Sequence, residues 1–437
     1  MNKFALLVAV ALAACGQAAP LADQGYGRDP QLPAPRSGPL PTINPARAGA
    51  WPEGAAPVAP EGFVVTRYAE ALAHPRWIYV LPNGDVLVAE SSTRPARGDG
   101  IVSWIANMVQ RRAGALADSA DRITLLRDVD GDGDVDQRHV FAENLNQPFG
   151  MALVGEHFFI ANTDAILRFP YVPDAVRVNG AGERVLSLPF REDDNGHWTR
   201  NLIANPEGTK LYVAVGSSSN IADNGMEAEE GRAAIWEFNP DGSGARVFAS
   251  GLRNPVGMDW APDANSLWVV VNERDMLGDN LVPDYMTNVR EGGFYGWPYS
   301  YFGQNVDARV RPQRPDLVAT AIAPDYALGA HTASLGLHFY TYDALPEHYW
   351  NGAFIGQHGS WNRREHAGYK VVFVPFVEGV PSGAPEDFLT AFLNERGEAQ
   401  GRPVGVAMDR TGALLVADDV GNIIWRVAYG DLGEDRQ

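Results

Sequence analysis

From residue 62 onward the chain repeats one local pattern: a short apolar strand, a turn built on Pro, Asn or Asp with Gly, then a second apolar strand. It is seen in HPRWIYVLPNGDVLVAES from His74, QPFGMALVGEHFFIAN from Gln147 and TRNLIANPEGTKLYVAVG from Thr199. It returns in RNPVGMDWAPDANSLWVVVNE from Arg253, in RPVGVAMDRTGALLVADD from Arg402 and, more weakly, in LGLHFYTYDALPEHYWNGAFIGQHG from Leu335. Period-two alternation with this turn chemistry predicts hairpins, and strong helical periodicity is nearly absent. A hairpin unit recurring about six times at blade-like spacing predicts an all-β, six-bladed β-propeller, closed by the last strands pairing with an early one. A pair of β-sandwiches would not require such a repeat. In a propeller, the polar residues flanking each repeated strand converge on the central channel, so chemistry is sought there.

Upstream the pattern changes twice. Lys3 and the apolar run Phe4 to Ala14 form an export signal too short to span a bilayer, giving a signal segment 1–15. Its end, Leu12-Ala13-Ala14-Cys15, resembles a bacterial lipobox and implies a lipid anchor on Cys15 in the cell envelope, facing the periplasm; ordinary cleavage near Ala18-Ala19-Pro20 is the alternative. Residues 16–61, dense in Pro, Ala and Gly, read as a tether, leaving 62–437 as the propeller domain.

Composition narrows the chemistry. The 437 residues carry a formal charge of −19, which disfavours nucleic acid as a partner. Lys3, Lys210 and Lys370 are the lysines among 35 basic residues, so arginine must do most anion binding. One cysteine excludes intramolecular disulfides, thiolate zinc sites and covalent haem attachment. Any redox chemistry therefore needs a non-covalent cofactor.

Two constellations stand out. In DVDGDGDVD, Asp128, Asp130, Asp132, Asp134 and Asp136 alternate around Gly133, as in a calcium-binding loop, although His139 stands where such a loop closes with Glu. This predicts a stabilising calcium site with no catalytic role. The second joins His197 in DDNGHWTRNL, Arg253-Asn254-Pro255 in GLRNPVGMDW, and the run NERDMLGDNLVPDYMTNVREGGFYGWPYSYFGQ.

With its GHxxRxL, GLRNPxG and GGxYGWP elements, this set resembles the glucose/sorbosone dehydrogenase family, soluble propellers that use pyrroloquinoline quinone (PQQ), over roughly residues 62–429. NERDMLGDNLVPDY and QHGSWNRR are most similar to the sorbosone branch. The resemblance implies oxidation of an aldose or related sugar aldehyde, with electrons passing on to an external quinone or cytochrome carrier. It makes His197 the general base and Arg253 the stabiliser of charge on the quinone, with Asn254 as a cofactor contact. It also implies Arg402 and Arg363 as clamps on the cofactor carboxylates beside Trp361 and Asn362, and Gln147 as a further contact. A cofactor calcium would sit near Asp275 and Met276, where the family's Gly-Pro is missing. Ser217 replaces the family's carboxylate beside the histidine, so the orientation of His197 is expected to come from elsewhere.

Other catalytic signatures are weak. Gly216-Ser217-Ser218-Ser219-Asn220 misses a nucleophile elbow at its last position, and no HExxH or helix-opening GxGxxG occurs. Tyr295, Trp297, Tyr299 and Tyr301 could stack on a ring or pack a blade. A calcium-dependent propeller lactonase and a non-catalytic lipoprotein binding carbohydrate or protein remain as alternative functions.

Overall fold

Each of the six repeats folds into the two inner strands of a four-stranded antiparallel sheet. The computed structural model describes residues 25–36, 42–95, 101–116, 119–192, 195–262 and 266–430. The innermost strands are Pro75–Val80, Met151–Val154, Leu202–Ala204, Pro255–Trp260, His338–Phe339 and Pro403–Met408, one per blade, so the chain is a six-bladed β-propeller. The sixth blade is completed from the other end of the chain: Phe63–Ala69 pairs with Ile423–Tyr429 as its outer strand, starting at Phe63 opposite Tyr429. That closure is the one expected from the sequence. The apolar run Phe4 to Ala14 and Cys15 lie outside the described residues.

The second strand of each blade explains why some repeats read as continuous apolar runs. Val86–Glu90, Leu211–Val215, Leu267–Val271 and Leu414–Asp418 are buried along their whole length, because neighbouring blades cover both faces. Blades also meet closely around the axis. A Cβ on Gly336 would lie 2.1 Å from the Val404 carbonyl oxygen, so only glycine lets the fifth and sixth blades approach there.

Two features depart from the sequence reading. A helix, Ile101–Arg112, is inserted between the second and third strands of the first blade. Its twelve residues include apolar Val109, but in so short a run the helical period is not separable from a strand's. The segment read as a tether also packs on the body. Tyr26–Gly27 adds a fifth strand to the fourth blade. Trp51 packs edge-on to Trp425 at 5.1 Å, its indole N–H donating to Asp418 Oδ2 at 2.8 Å. Pro/Ala/Gly composition suppressed any periodic signal, while individual backbone groups still find partners: Ala48 N–H donates to Arg112 O and Gly49 N–H to Ala399 O.

Candidate active site

At one mouth of the central channel lies a cavity of about 510 Å³. Its walls come from residues at or next to the ends of the repeated strands, including Arg76, His197, Asn254, His358 and Arg402. Ile43 and Pro45, from the N-terminal segment that packs on the body as a strap, and the helix residues Val109 and Gln110 complete it. Four buried polar atoms on residues of this wall have no hydrogen-bond partner: Arg76 Nε, Gln110 Oε1, Asn254 Oδ1 and Arg402 Nε. Buried polar groups are normally satisfied, so this concentration suits a polar ligand.

His197 is half-buried, and its Nδ1 lies 2.9 Å from the Ser217 carbonyl oxygen and 3.0 Å from Ser217 Oγ. The carbonyl can only accept, so Nδ1 carries the proton and Nε2 keeps its lone pair. Ser217 itself therefore orients the ring through its backbone, which corrects the expectation that its lack of a carboxylate leaves that task elsewhere. Burial holds the His197 pKa well below its ordinary value, and the positive charges of Arg253, Arg232 and Arg200 add to this against the Ser217 hydrogen bond. Arg200 and Arg232 fix the loop by donating to carbonyls: Arg200 Nη1 to His197 O at 2.8 Å and Arg232 Nε to Gly216 O at 3.1 Å. A neutral imidazole in a positive field is suited to an anionic ligand.

Gly216 is the hinge of this arrangement. A Cβ there would fall 2.4 Å from Asn254 Oδ1 and 2.6 Å from His197 Cβ. Gly216→Ala is therefore expected to displace both residues, with about 1–3 kcal/mol lost in denaturant unfolding and a larger proportional loss of activity.

Arg253 is placed differently from the expectation. Its guanidinium donates to Glu273 O at 2.8 Å, to Asn272 O at 3.2 Å and to Asn220 Oδ1 at 3.0 Å, and approaches Asp275 Oδ2 at 3.4 Å. The fork is spent on the 272–275 loop, and Arg253 reaches the cavity through its charge on His197. Asp275 in turn holds His331 Nδ1 at 3.1 Å. Both carboxylate oxygens of Asp275 thus face cationic or N–H partners, its carbonyl accepts from Arg274 Nη2 at 2.7 Å, and the Met276 N–H donates to Asn362 Oδ1 at 2.8 Å. This donor set does not fit a calcium ion at Asp275, because Arg253, His331 and Arg274 already hold its two carboxylate oxygens and its carbonyl.

The remaining expectations divide. Asn254, Trp361 and Arg402 line the cavity, with Arg402 stacked on Tyr369 at 4.8 Å and donating to Ala46 O at 3.0 Å. Asn362 instead pins the strap through Thr42 O, Arg363 donates to Asp279 O at 3.1 Å, and Gln147 Nε2 is held by Ser92 O at 2.8 Å. Tyr295, Trp297, Tyr299 and Tyr301 are buried in blade packing. In the acidic loop, Asp128, Asp130 and Asp136 bring ligand atoms within 4.8 Å of one another, a set that leaves out Asp132 and Asp134. Asp132 and Asp134 take part in the loop's own turns, Asp134 N–H donating to Asp132 Oδ1 at 2.9 Å.

The sequence reading missed a buried cluster around Asp419. Its carboxylate binds Arg76 and accepts from His358 Nε2 at 2.9 Å, with His74 Nε2 at 3.4 Å. The signal was present: His74-Pro75-Arg76 opens the first repeat in the register that Asn254-Pro255 and Arg402-Pro403 occupy in theirs. Burial lowers the His74 pKa from 6.5 to about 4 despite Asp419. The unfolded chain therefore takes up a proton below pH 6.5 that the folded chain refuses until about 4. This contribution is full above 6.5 and is lost as the pH falls through that window, on the order of 3 kcal/mol. Unfolding free energy measured against pH should be flatter across this window in His74→Gln.

A family profile described as "Domain of unknown function (DUF7133)" matches residues 59–360, and a second, "TrAA12-like", matches 315–429. The chain belongs to the DUF7133 family. Within curated proteins, this DUF7133 chain is 29% identical over 300 residues to an uncharacterized protein of Borreliella burgdorferi, covering 67% of the chain and 78% of that protein. It is 27% identical over 221 residues to the pyrroloquinoline quinone-dependent pyranose dehydrogenase of Coprinopsis cinerea, a match covering 41% of the chain and 30% of the enzyme. The solved holo PQQ domain of the Coprinopsis cinerea pyranose dehydrogenase superposes with TM-score 0.68 at 22% identity, over 88% of this chain and 100% of that one, which establishes the shared fold.

Proposed function

We propose that this chain is a quinoprotein sugar dehydrogenase, oxidising an aldose or related sugar aldehyde with PQQ and passing the electrons to a separate quinone or cytochrome carrier. The observation that carries the reading is the cavity itself: arginines, unpartnered buried polar atoms and a neutral imidazole meet at one channel mouth. The dehydrogenase name of the Coprinopsis cinerea relative supports it. A sorbosone-like substrate rests on the NERDMLGDNLVPDY and QHGSWNRR segments, and a lipid anchor on Cys15 in the periplasm on the N-terminal tetrapeptide.

The residues present fit a planar, multiply anionic cofactor. Arg76 and Arg402 would meet carboxylates, Asn254 would offer its amide, and Trp361 and Trp198 add aromatic surface to the same wall. Bound there, the quinone supplies the two-electron acceptor that the side chains lack. The chain's own part is acid–base and positional. His197, held by the Ser217 carbonyl, presents Nε2 to take the proton of the sugar's anomeric hydroxyl. Ile43, Pro45, Val109 and Gln110 complete the wall around the cavity. One observation favours a second assignment of the base: His358 lines the same wall and has the buried carboxylate partner, Asp419, that His197 lacks.

Purified chain titrated with PQQ should show quenched tryptophan fluorescence, and adding aldoses should then reduce a dye. Quinone that neither binds nor supports dye reduction would overturn the reading; lactone hydrolysis without quinone would favour the propeller lactonase. Calcium is proposed to act at the Asp128 to Asp136 loop, on the outer hairpin of the first blade. Calcium should raise the melting temperature through linkage, and Asp130→Asn with Asp136→Asn should shrink that shift while leaving turnover intact.

A further inference from the structure

The helix Ile101–Arg112 presents two different sides. Val109 and Gln110, with Ala113 just beyond its end, line the cavity. Trp104 and Met108, spaced i to i+4, stand on the outer side at 64% and 49% exposure, and Arg111 and Arg112 continue the same stripe, both exposed. Arg47 lies alongside, because the Ala48 N–H donates to the Arg112 carbonyl; its side chain is 66% exposed and lies 3.9 Å from Glu398 Oε1. A chain of net charge −19 thus places two exposed arginines, Arg111 and Arg112, next to an exposed tryptophan and methionine on one helix about 18 Å long.

We infer that this helix is a membrane-surface element, lying on an anionic lipid bilayer with Trp104 and Met108 inserted at the headgroup boundary. Apolar side chains including a tryptophan beside arginines are the composition of helices that lie in an interface. The positive charge complements anionic headgroups, which would repel the rest of the acidic body. No described helix is long and apolar enough to cross a membrane, so this contact is peripheral. The stripe lies on the opposite side of the helix from Val109 and Gln110, which line the cavity. The inference is independent of the quinone reading and of any lipid on Cys15. An acidic protein partner is the competing occupant, but it would not by itself call for the exposed Trp104 and Met108.

The test uses the full chain with Cys15→Ser, which removes its single native thiol, and Met108→Cys carrying a nitroxide. With phosphatidylcholine vesicles containing phosphatidylglycerol, the label should become accessible to oxygen and protected from a water-soluble nickel reagent. Plain phosphatidylcholine should give a weaker effect. Arg111→Glu with Arg112→Glu should reduce partitioning onto the anionic vesicles by about tenfold or more, while cofactor binding and dye reduction stay unchanged. A label that remains water-accessible while the chain is bound, equal partitioning onto both vesicle types, or no vesicle binding at all would overturn the inference. So would capture of an acidic protein at this helix without lipid contact.

Discussion

In His197→Ala, aldose turnover is expected to fall by about a hundredfold to ten-thousandfold while quinone affinity changes little. The separation follows from geometry. His197 is one wall residue among many, whereas the arginines that would meet the cofactor carboxylates, Arg76 and Arg402, are untouched by the change. The pH profile adds a second readout. Burial and the nearby guanidinium groups hold the His197 pKa well below 6.5, so wild-type turnover should be flat around neutrality and decline only in acid, as the base becomes protonated. Ser217→Ala should be nearly silent, since the backbone carbonyl that holds Nδ1 at 2.9 Å remains. Rapid-reaction reduction of bound quinone separates chemistry from binding. Wild-type rates in His197→Ala, with a large loss in His358→Ala, would move the base to the second histidine.

The propeller was legible because its signal is local and repeated: turn residues and paired apolar strands announce each blade's inner hairpin without knowledge of its neighbours. The channel mouth was legible where a repeat opens on a polar residue before proline, as at Asn254 and Arg402. What failed depends on partners far away in the chain. Arg253 reads as a free guanidinium, yet the carbonyls of Asn272 and Glu273, almost twenty residues on, absorb it. Asp275 reads as a free carboxylate, and His331 sits against it. The strap over the cavity was illegible because single hydrogen bonds, such as Arg402 to Ala46 O across 356 residues, leave no periodic trace. Asp419 was hidden for the same reason: its partners come from the first and fifth blades, His74, Arg76 and His358.

That distribution makes Asp419 the position where one substitution should cost the most stability. Its carboxylate is 1% exposed and carries a pKa pushed far down, chiefly by His358, His74 and Arg76 working against burial. In Asp419→Asn the shape survives and the negative charge does not, leaving the Arg76 guanidinium buried against Trp198 with no counter-charge. Removing one member of a buried ion pair typically costs about 3–5 kcal/mol, so denaturant unfolding near neutral pH should lose about that much. A loss below about 1 kcal/mol would mean that water or a rearranged side chain already shields Arg76. The same variant reports on the cavity. Arg76 lines it, and an uncompensated guanidinium should attract an anionic ligand more strongly. PQQ should therefore raise the melting temperature of Asp419→Asn by more than that of the wild type, because a ligand that binds only the folded state stabilises it in proportion to its affinity. Equal shifts would place the cofactor carboxylates away from Arg76 and leave Arg402 as their clamp.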